Sequence, residues 1–218
     1  MSELNEKTKK YWDNFYEKER LGVEDIPSQF AAFVLSEFSG RKTVIDVGCG
    51  NGRDSFFFAR HVPKVIGIDA SKSAIESCHK KREHIGFGNA EFHQVDLSSL
   101  DYCLWFFESV SAELENSVVY ARFFLHAIDE EAEENFLKLA KFVSERGGAV
   151  AAEFRTHRDE QQQKETSAHF RRYINPLEFM ENARSAGLSL SYFTEGFGLA
   201  KYKSDDAHVA RFLFRADS

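Results

Sequence analysis

The segment from Thr43 to Arg60, TVIDVGCGNGRDSFFFAR, constrains this chain most because it joins three structural signals in a fixed order. Its β-branched residues favour a buried strand. The glycines that follow, Gly48, Gly50 and Gly52, let the backbone of a turn approach a ligand closely. A helical pattern begins directly after them and directs its amide end towards that ligand. The order of strand, glycine turn and helix predicts a nucleotide-binding turn.

The spacing of the glycines distinguishes two kinds of nucleotide site. A dinucleotide-binding turn places its third glycine three positions after the second, where the backbone curves over a pyrophosphate. Here Gly52 follows Gly50 after two positions. This tighter loop resembles the first motif of the class I S-adenosylmethionine-dependent methyltransferases, whose ligand carries no phosphate and lays its amino acid part along the glycines. The alternative is a glycine turn that only links a strand to a helix, since a lone glycine motif is weak evidence.

A second strand, KVIGIDAS from Lys64 to Ser71, carries Asp69 at its carboxyl end, 17 positions after Gly52. A carboxylate at this place can accept hydrogen bonds from both hydroxyls of a ribose. Taken alone, Asp69 has the alternative role of a helix-capping acid. Ser71 is expected to cap the helix that follows.

The third signal is the short strand AEFHQVDL, Ala90 to Leu97, which ends in Asp96. In the resembling family an acid at this point accepts a hydrogen bond from the adenine amino group, and the next backbone amide, here that of Leu97, meets the ring. An ordinary solvated loop aspartate is the alternative. The three segments together cover residues 43 to 97, and their combination is specific where each piece alone is not.

The resemblance implies that S-adenosylmethionine binds at these motifs and leaves as S-adenosylhomocysteine. Cys49 lies inside the glycine turn, where a small side chain suffices, and no chemistry is assigned to it. The residues that the resemblance places at the cofactor are Asp46, Gly48, Cys49, Gly50, Gly52, Asp69, Ala70, Asp96, Leu97 and Arg122.

Strands that alternate with helices and close with a hairpin-like pair predict an α/β fold. The resemblance implies a doubly wound sheet of seven mostly parallel strands, with an antiparallel last strand and helices on both faces. The length of 218 residues fits a single methyltransferase domain. Its predicted parts are an N-terminal helical cap at 1–40, a cofactor-binding core at 41–155, a substrate-lid insertion at 156–175, and a C-terminal helix and strand pair at 176–218.

Four aromatic residues near the N-terminus, Tyr11, Trp12, Phe15 and Tyr16, are spaced to share one face of a helix. One interpretation is an N-terminal helical lid over the cofactor mouth, with Trp12 and Tyr16 against the substrate. The alternative is that these rings only fasten the helix to the core.

Composition limits the partners of the chain. A formal net charge of −7 gives no general field that attracts nucleic acid. No apolar run approaches the roughly 20 residues of a membrane span, and the first residues lack an apolar signal core. The expectation is a cytoplasmic protein with a small-molecule substrate and no nucleic-acid or membrane partner; the sequence sets no oligomeric state.

The sequence predicts no metal site. Its three cysteines, Cys49, Cys78 and Cys103, show no metal-ligand spacing and are expected to be reduced thiols. The nearest approach to a metal cluster, the DDAH run from Asp205 to His208, is interpreted as a solvated turn before the last strand.

Two arginines follow the carboxyl ends of strands four and five, where ligands of open parallel sheets bind. Arg122 and Arg155 are therefore predicted to hold an anionic acceptor, because a planar guanidinium suits a carboxylate or phosphate. The alternative is an internal salt bridge in which Glu153 or Asp101 neutralises one arginine while the other is solvated.

A general base is needed if the acceptor is a hydroxyl, and His126 is the first candidate, followed by His169 and Glu153. Alternatively, His126 only caps or packs its loop. A carboxylate, a phosphate oxygen or a neutral amine requires no strong base. The residues predicted to contact the substrate are Trp12, Tyr16, Arg122, His126, Arg155, Arg171, Arg172 and Lys201.

The acceptor is predicted to be a small polar metabolite, anionic or sugar-like, that is methylated on oxygen or nitrogen. The Asn/Asp-Pro-Pro-aromatic signature of methyltransferases acting on nucleobase or glutamine amino groups does not occur, and YARFFLHA stands after strand four instead. Two other classes stay open, a non-catalytic S-adenosylmethionine-binding or partner module and, against the glycine spacing, an NAD-dependent oxidoreductase.

Overall fold

The computed structural model describes residues 3–18, 26–162, 164, 170–202 and 204–215. A seven-stranded sheet has the order β3-β2-β1-β4-β5-β7-β6. The strands are β1 Thr43–Val47, β2 Lys64–Asp69, β3 Ala90–Gln94, β4 Ser117–Arg122, β5 Ala149–Arg155, β6 Ser189–Tyr202 and β7 Asp205–Arg215. The first five strands pair in parallel, and β7 is antiparallel to both β5 and β6. The predicted doubly wound α/β sheet is confirmed.

Helices cover both faces because successive side chains of a strand point to opposite sides. The helices are α1 Glu3–Lys18, α2 Gln29–Glu37, α3 Arg53–Phe58, α4 Lys72–Ile85, α5 Leu100–Ser109, α6 Glu130–Ser144 and α7 Pro176–Ser185. On one face Ile45 packs with residues of α5, α6 and α7. On the other face its neighbour Val44 packs with residues of α2, α3 and α4. The two apolar cores hold the sheet rigid between them.

The C-terminal hairpin is longer than the sequence indicates. The sequence patterns predict strands near Leu188–Thr194 and Val209–Arg215, whereas β6 and β7 continue to Tyr202 and Asp205. A register irregularity between Gly196 and Ala200 lets β6 pass through its glycines as a bulge instead of a turn. This extension carries Lys201 to the edge of the sheet where the other strands end.

The interpretation of Asp205 to His208 as a solvated turn is wrong, because these residues lie inside β7. Asp205 is buried and accepts a 2.5 Å hydrogen bond from Arg155 Nη2. Asp159, also buried, accepts a 2.7 Å bond from Arg155 Nη1. The His208 ring is 2.7 Å from the Thr156 hydroxyl. The acids near Arg155 therefore neutralise a guanidinium.

Over the described residues, no group of three or more His, Cys, Asp or Glu side chains is placed to hold a metal ion. The three cysteines are free and buried. None of the helices in the described part of the chain has the length and apolar character of a membrane span.

Replacing Arg155 by Met should lower the free energy of unfolding by about 3–5 kcal/mol, because two buried carboxylates then lose their common partner. Urea denaturation followed by circular dichroism measures this loss. Arg158→Met, which removes a guanidinium that is 58% exposed, is the matched control and should stay near wild type. An Arg155→Met protein as stable as the control would contradict the buried cluster.

Candidate functional site

A cavity of about 890 Å³ opens at the carboxyl ends of β1, β2 and β4. Its size lies within the roughly 300–1,000 Å³ that is typical of ligand pockets. The cavity lies where an open parallel sheet binds its ligands. The predicted site residues that line it are Trp12, Tyr16, Asp46, Gly48, Cys49, Gly50, Asp69, Ala70, Asp96, Leu97, Arg122 and Lys201.

The glycine turn is fixed by positive φ angles and by one carboxylate. Gly50 has a φ of 54° and Gly52 a φ of 77°, a region that side chains disfavour. The Gly50 amide donates a 2.9 Å hydrogen bond to Asp69 Oδ2. Gly52 precedes the first residue of α3 and is not part of the cavity wall. Its role is to shape the turn that presents Gly50.

Asp69 is held in place by backbone amides. Its second oxygen accepts a 2.8 Å bond from the Ser71 amide. Burial raises the pKa of Asp69, and the hydrogen bonds from Ser71 and Gly50 oppose that rise. Ser71 caps α4 as expected, since its hydroxyl accepts a 3.2 Å bond from the Ala74 amide. Asp69 is thus not the N-cap residue of this helix, and it lines the cavity.

Asp96 is paired with a residue that the sequence did not single out. Lys9 of α1 places its Nζ 2.6 Å from Asp96 Oδ2, and the Ser98 amide donates a 3.0 Å bond to Oδ1. Burial acts to raise the pKa of Asp96, but the Lys9 and Ser98 hydrogen bonds bring it below its usual value. Asp96 is thus a loop residue with a side chain 29% exposed, and its role at the adenine stays a prediction.

Helix α1 lies over the cavity, and residues on one polar and aromatic face of this helix line it. Trp12 and Tyr16 stack at 5.8 Å between ring centroids, and both line the cavity. Asp13 accepts a 2.6 Å hydrogen bond from the Ser71 hydroxyl. A Cβ atom added to Gly50 would collide with the Tyr16 hydroxyl. These rings therefore do more than fasten α1 to the core, and a lid function for α1 stays a prediction.

Asp46 is the most strongly perturbed carboxyl group of the cavity wall. It is buried at the end of β1 and accepts a 2.5 Å hydrogen bond from the Ser55 hydroxyl. Burial raises its pKa to about 7; the Ser55 hydrogen bond opposes this rise, and the charges of Asp54 and Asp69 add to it. Asp46 therefore changes its charge near neutral pH.

Arg122, at the end of β4, lines the cavity. It belongs to a row of three charged residues that lie side by side on β4, β5 and β7. The sheet register pairs Arg122 with Glu153 and Glu153 with Arg211. Glu153 accepts a 3.0 Å bond from Arg122 Nε and a 2.7 Å bond from Arg211 Nε. The next residue, Phe123, has a φ of 56° and places its ring 4.2 Å from the Arg122 guanidinium carbon. Such a strained residue is typical of a functional site.

The structure corrects the roles predicted for Arg155, His126 and Glu153, none of which lines this cavity. Arg155 is bound by Asp159 and Asp205, so the anion clamp of Arg122 and Arg155 is wrong. The Asp101 partner is wrong as well, since Asp101 is exposed in the first turn of α5.

His126 and Glu153 are held by other contacts. Nδ1 of the buried His126 ring accepts a 3.2 Å hydrogen bond from the Arg155 amide, which agrees with the alternative of a packed loop. Glu153 is fully buried between its two arginines. Neither residue is placed as a general base for a ligand in the cavity.

The predicted substrate lid, 156–175, contributes none of its described residues to the cavity wall. The predicted base His169 lies outside the described residues. Arg172 forms an ion pair with Glu133, and its amide donates to the His126 carbonyl at 2.8 Å. Arg171 is likewise absent from the wall, so a substrate contact from these two arginines finds no support.

Sequence reasoning missed Lys9, Arg53, Asp54 and Tyr120, which also line the cavity. Arg53 had a readable signal, because a cation in the first turn of a helix opposes the helix dipole and calls for another reason. Lys9, Asp54 and Tyr120 had no such sequence signal, since their places in the cavity wall depend on how α1 and β4 pack against α3.

A family model described as a methyltransferase domain matches residues 39–183. Among curated proteins, an uncharacterized RNA methyltransferase of Chlorobaculum tepidum is 29% identical over 87 residues, covering 40% of this chain and 18% of that protein. The 23S rRNA (uracil(1939)-C(5))-methyltransferase of Alcanivorax borkumensis is 33% identical over 67 residues, covering 31% of this chain and 15% of that protein. The chain spans less than a fifth of the length of these relatives.

Solved structures share the fold across nearly the whole chain. A SAM-dependent methyltransferase from Anabaena variabilis superposes with a TM-score of 0.75 at 18% identity, covering 100% of this chain and 96% of that one. The CcbJ methyltransferase from Streptomyces caelestis gives 0.66 at 18% identity, with 94% and 96% covered. Magnesium protoporphyrin IX methyltransferase from Synechocystis, solved with bound SAM, gives 0.62 at 15% identity, with 96% and 97% covered.

The cavity residues fit S-adenosylmethionine. Three carboxyl groups, those of Asp46, Asp69 and Asp96, line the cavity. Carboxyl groups suit a cationic ligand without phosphate and disfavour the pyrophosphate of NAD. At Gly50 an added Cβ atom would meet the Tyr16 hydroxyl, so the glycine turn and α1 approach each other closely there.

The affinity for S-adenosylmethionine should fall by about tenfold between about pH 8 and pH 6, because roughly a tenth of Asp46 stays ionised at the lower pH. The sign follows from the raised pKa, since protonation below about 7 removes a negative charge that favours the sulfonium cation. Calorimetric titration measures the dependence, and Asp46→Asn should flatten it. A wild-type affinity that does not vary with pH would refute this role.

Gly50→Ala should weaken S-adenosylmethionine binding by about tenfold or more, equivalent to about 1.4 kcal/mol, because the added methyl group meets Tyr16 in the cavity. Gly86→Ala is the matched control, since Gly86 has a φ of 82° but nothing within 4 Å of an added Cβ. Both variants carry backbone strain, so equal losses of affinity would mean that the contact above Gly50 is irrelevant.

Proposed function

We propose that this chain, which belongs to the methyltransferase-domain family, transfers the methyl group of S-adenosylmethionine to a small, polar, anionic acceptor. The observation that carries the proposal is the placement of Arg122. Its guanidinium lies in the cavity wall at the end of β4, and its side chain is only 12% exposed. A guanidinium this well shielded binds an oxyanion more strongly than one in water.

The cavity wall carries charges of both signs, which supports a cavity that takes two ligands. Its carboxyl groups are those of Asp46, Asp69 and Asp96, and Asp69 is bonded to the glycine turn. Its cations include Arg122 and the exposed Lys201. A cationic methyl donor and an anionic acceptor match these two sets of charges.

The chain's own contribution to the reaction is alignment and exclusion of water. S-Adenosylmethionine, when bound, supplies an activated methyl group. Glu153 orients Arg122 through its Nε, and α1 shields the cavity through Trp12 and Tyr16. Positioning of this kind lowers the barrier without covalent chemistry by the protein. An acceptor oxygen that already carries negative charge requires no general base, which is consistent with the positions of His126 and Glu153.

RNA is the alternative acceptor, since two curated relatives are named RNA methyltransferases. Those matches cover 40% and 31% of this chain, so they bear on part of the fold. The net charge of −7 disfavours a phosphate backbone as partner. We therefore propose a small-molecule acceptor, and RNA is included among the acceptors to be tested.

Transfer of a labelled methyl group from S-adenosylmethionine should be measured with sugar phosphates, sugar acids and hydroxy acids, with their neutral analogues, and with RNA. We expect label only in anionic small molecules. With the best acceptor, Arg122→Met should lower kcat/KM by about tenfold or more, mainly through KM, because it removes a charge-assisted contact. Its affinity for S-adenosylmethionine should fall by a smaller factor than kcat/KM does.

Arg158→Met is the control, because Arg158 is exposed and pairs with Glu195 outside the cavity wall. Label in RNA alone would reject the small-molecule acceptor. Tight binding of S-adenosylmethionine without transfer to any acceptor would favour the non-catalytic binding module. An unchanged KM in Arg122→Met would refute the contact between Arg122 and the anionic acceptor.

A further inference from the structure

We propose that Arg53 is the second arm of a two-guanidinium clamp with Arg122, and that this clamp binds the acceptor through a carboxylate or phosphate-type oxyanion. The inference rests on the proposed function and names a specificity residue for it. Arg53 takes the place that the sequence pattern gave to Arg155.

Arg53 is fixed at the start of α3, directly after the glycine turn. It lines the cavity, and its side chain is 30% exposed. Its Nε donates a 3.2 Å hydrogen bond to Asp54 Oδ1. The guanidinium is thus bound along one edge, and the position of the backbone beside Gly52 brings it to the same cavity as the cofactor residues.

The carboxylate that holds Arg53 is itself rigid. Asp54 is buried and accepts bonds of 2.8 Å from the Ser28 amide, 2.8 Å from the Ser28 hydroxyl and 2.7 Å from the Tyr120 hydroxyl. These contacts join the start of α2 to α3 and β4. Burial acts to raise the pKa of Asp54, but the charges of Arg53 and Arg122 hold it below its usual value. Asp54 therefore stays anionic and keeps Arg53 in place.

Arg122, like Arg53, is held by a hydrogen bond from its Nε to a buried carboxylate. Its Nε donates to the buried carboxylate of Glu153, which also binds Arg211. Each of the two cavity arginines thus uses its Nε for a buried acid. The remaining nitrogens of a guanidinium form a planar edge that matches carboxylate and phosphate oxygens.

The charge of this cluster depends on Asp46. Three guanidiniums, those of Arg53, Arg122 and Arg211, face the carboxylates of Asp54 and Glu153, and Asp46 also acts on Arg53. Burial raises the pKa of Asp46 to about 7, so the cluster carries one excess positive charge when Asp46 is protonated. A shielded excess charge is unfavourable unless a ligand compensates it, as an oxyanion bound between Arg53 and Arg122 would.

The test uses the full chain saturated with S-adenosylhomocysteine and titrated with inorganic phosphate or acetate at millimolar concentration. Calorimetry or the shift in Tm reports binding, and the two anions distinguish a phosphate-type group from a carboxylate. We expect the wild-type protein to bind at least one of them and Arg53→Met to bind it about tenfold or more weakly. Arg53→Lys keeps the charge without the planar edge and should show an intermediate loss.

Arg158→Met is again the matched control and should bind the anion as the wild type does. Anion affinity that is unchanged in both Arg53 variants, or a wild-type complex that binds neither anion, would overturn the clamp. Should Arg53→Met fail to fold, the loss in Arg53→Lys decides the question. S-Adenosylhomocysteine should bind all variants within about twofold of wild type, since Asp46 and Asp69 are intact. A wild-type chain that does not bind it would instead reject the proposed function.

Discussion

The row of Arg122, Glu153 and Arg211 across β4, β5 and β7 is the interaction on which the rest of the site depends. Glu153 is fully buried, so its charge is tolerable only because a guanidinium from each neighbouring strand binds it. The row ties the antiparallel β7 into the parallel part of the sheet. It also fixes Arg122 at the strand end, where an open parallel sheet binds ligands.

From that edge the cavity acquires charges of both signs. The glycine turn is fastened to Asp69, and the buried Asp46 also lines the cavity. Arg53 and Arg122 line the same cavity, each bound by a buried carboxylate. In the proposed function the acids suit a sulfonium donor, and the two arginines suit an oxyanion acceptor.

Local patterns predicted well which residues meet at the glycine turn. The glycine turn and Asp69 are each encoded within a few residues, and the strand periodicity places them at one sheet edge. The surroundings of the two arginines were predicted poorly because they depend on tertiary pairing. Arg155 has the same local signal as Arg122, but its partner Asp205 lies 50 residues away on β7. Arg155 is bound by Asp205 through the register of β5 against β7 and by Asp159 through the fold of the segment that follows β5.

A crystal structure of the chain with S-adenosylhomocysteine would show directly whether the acids of the cavity bind the donor. We expect ribose hydroxyls within hydrogen-bond distance of Asp69, the adenine beside Asp96 with Lys9 displaced from that carboxylate, and open space between the ligand and the guanidiniums of Arg53 and Arg122. A nucleoside bound against the two arginines, with Asp69 and Asp96 free of contact, would contradict the assignment of the acids to the donor and of the arginines to the acceptor.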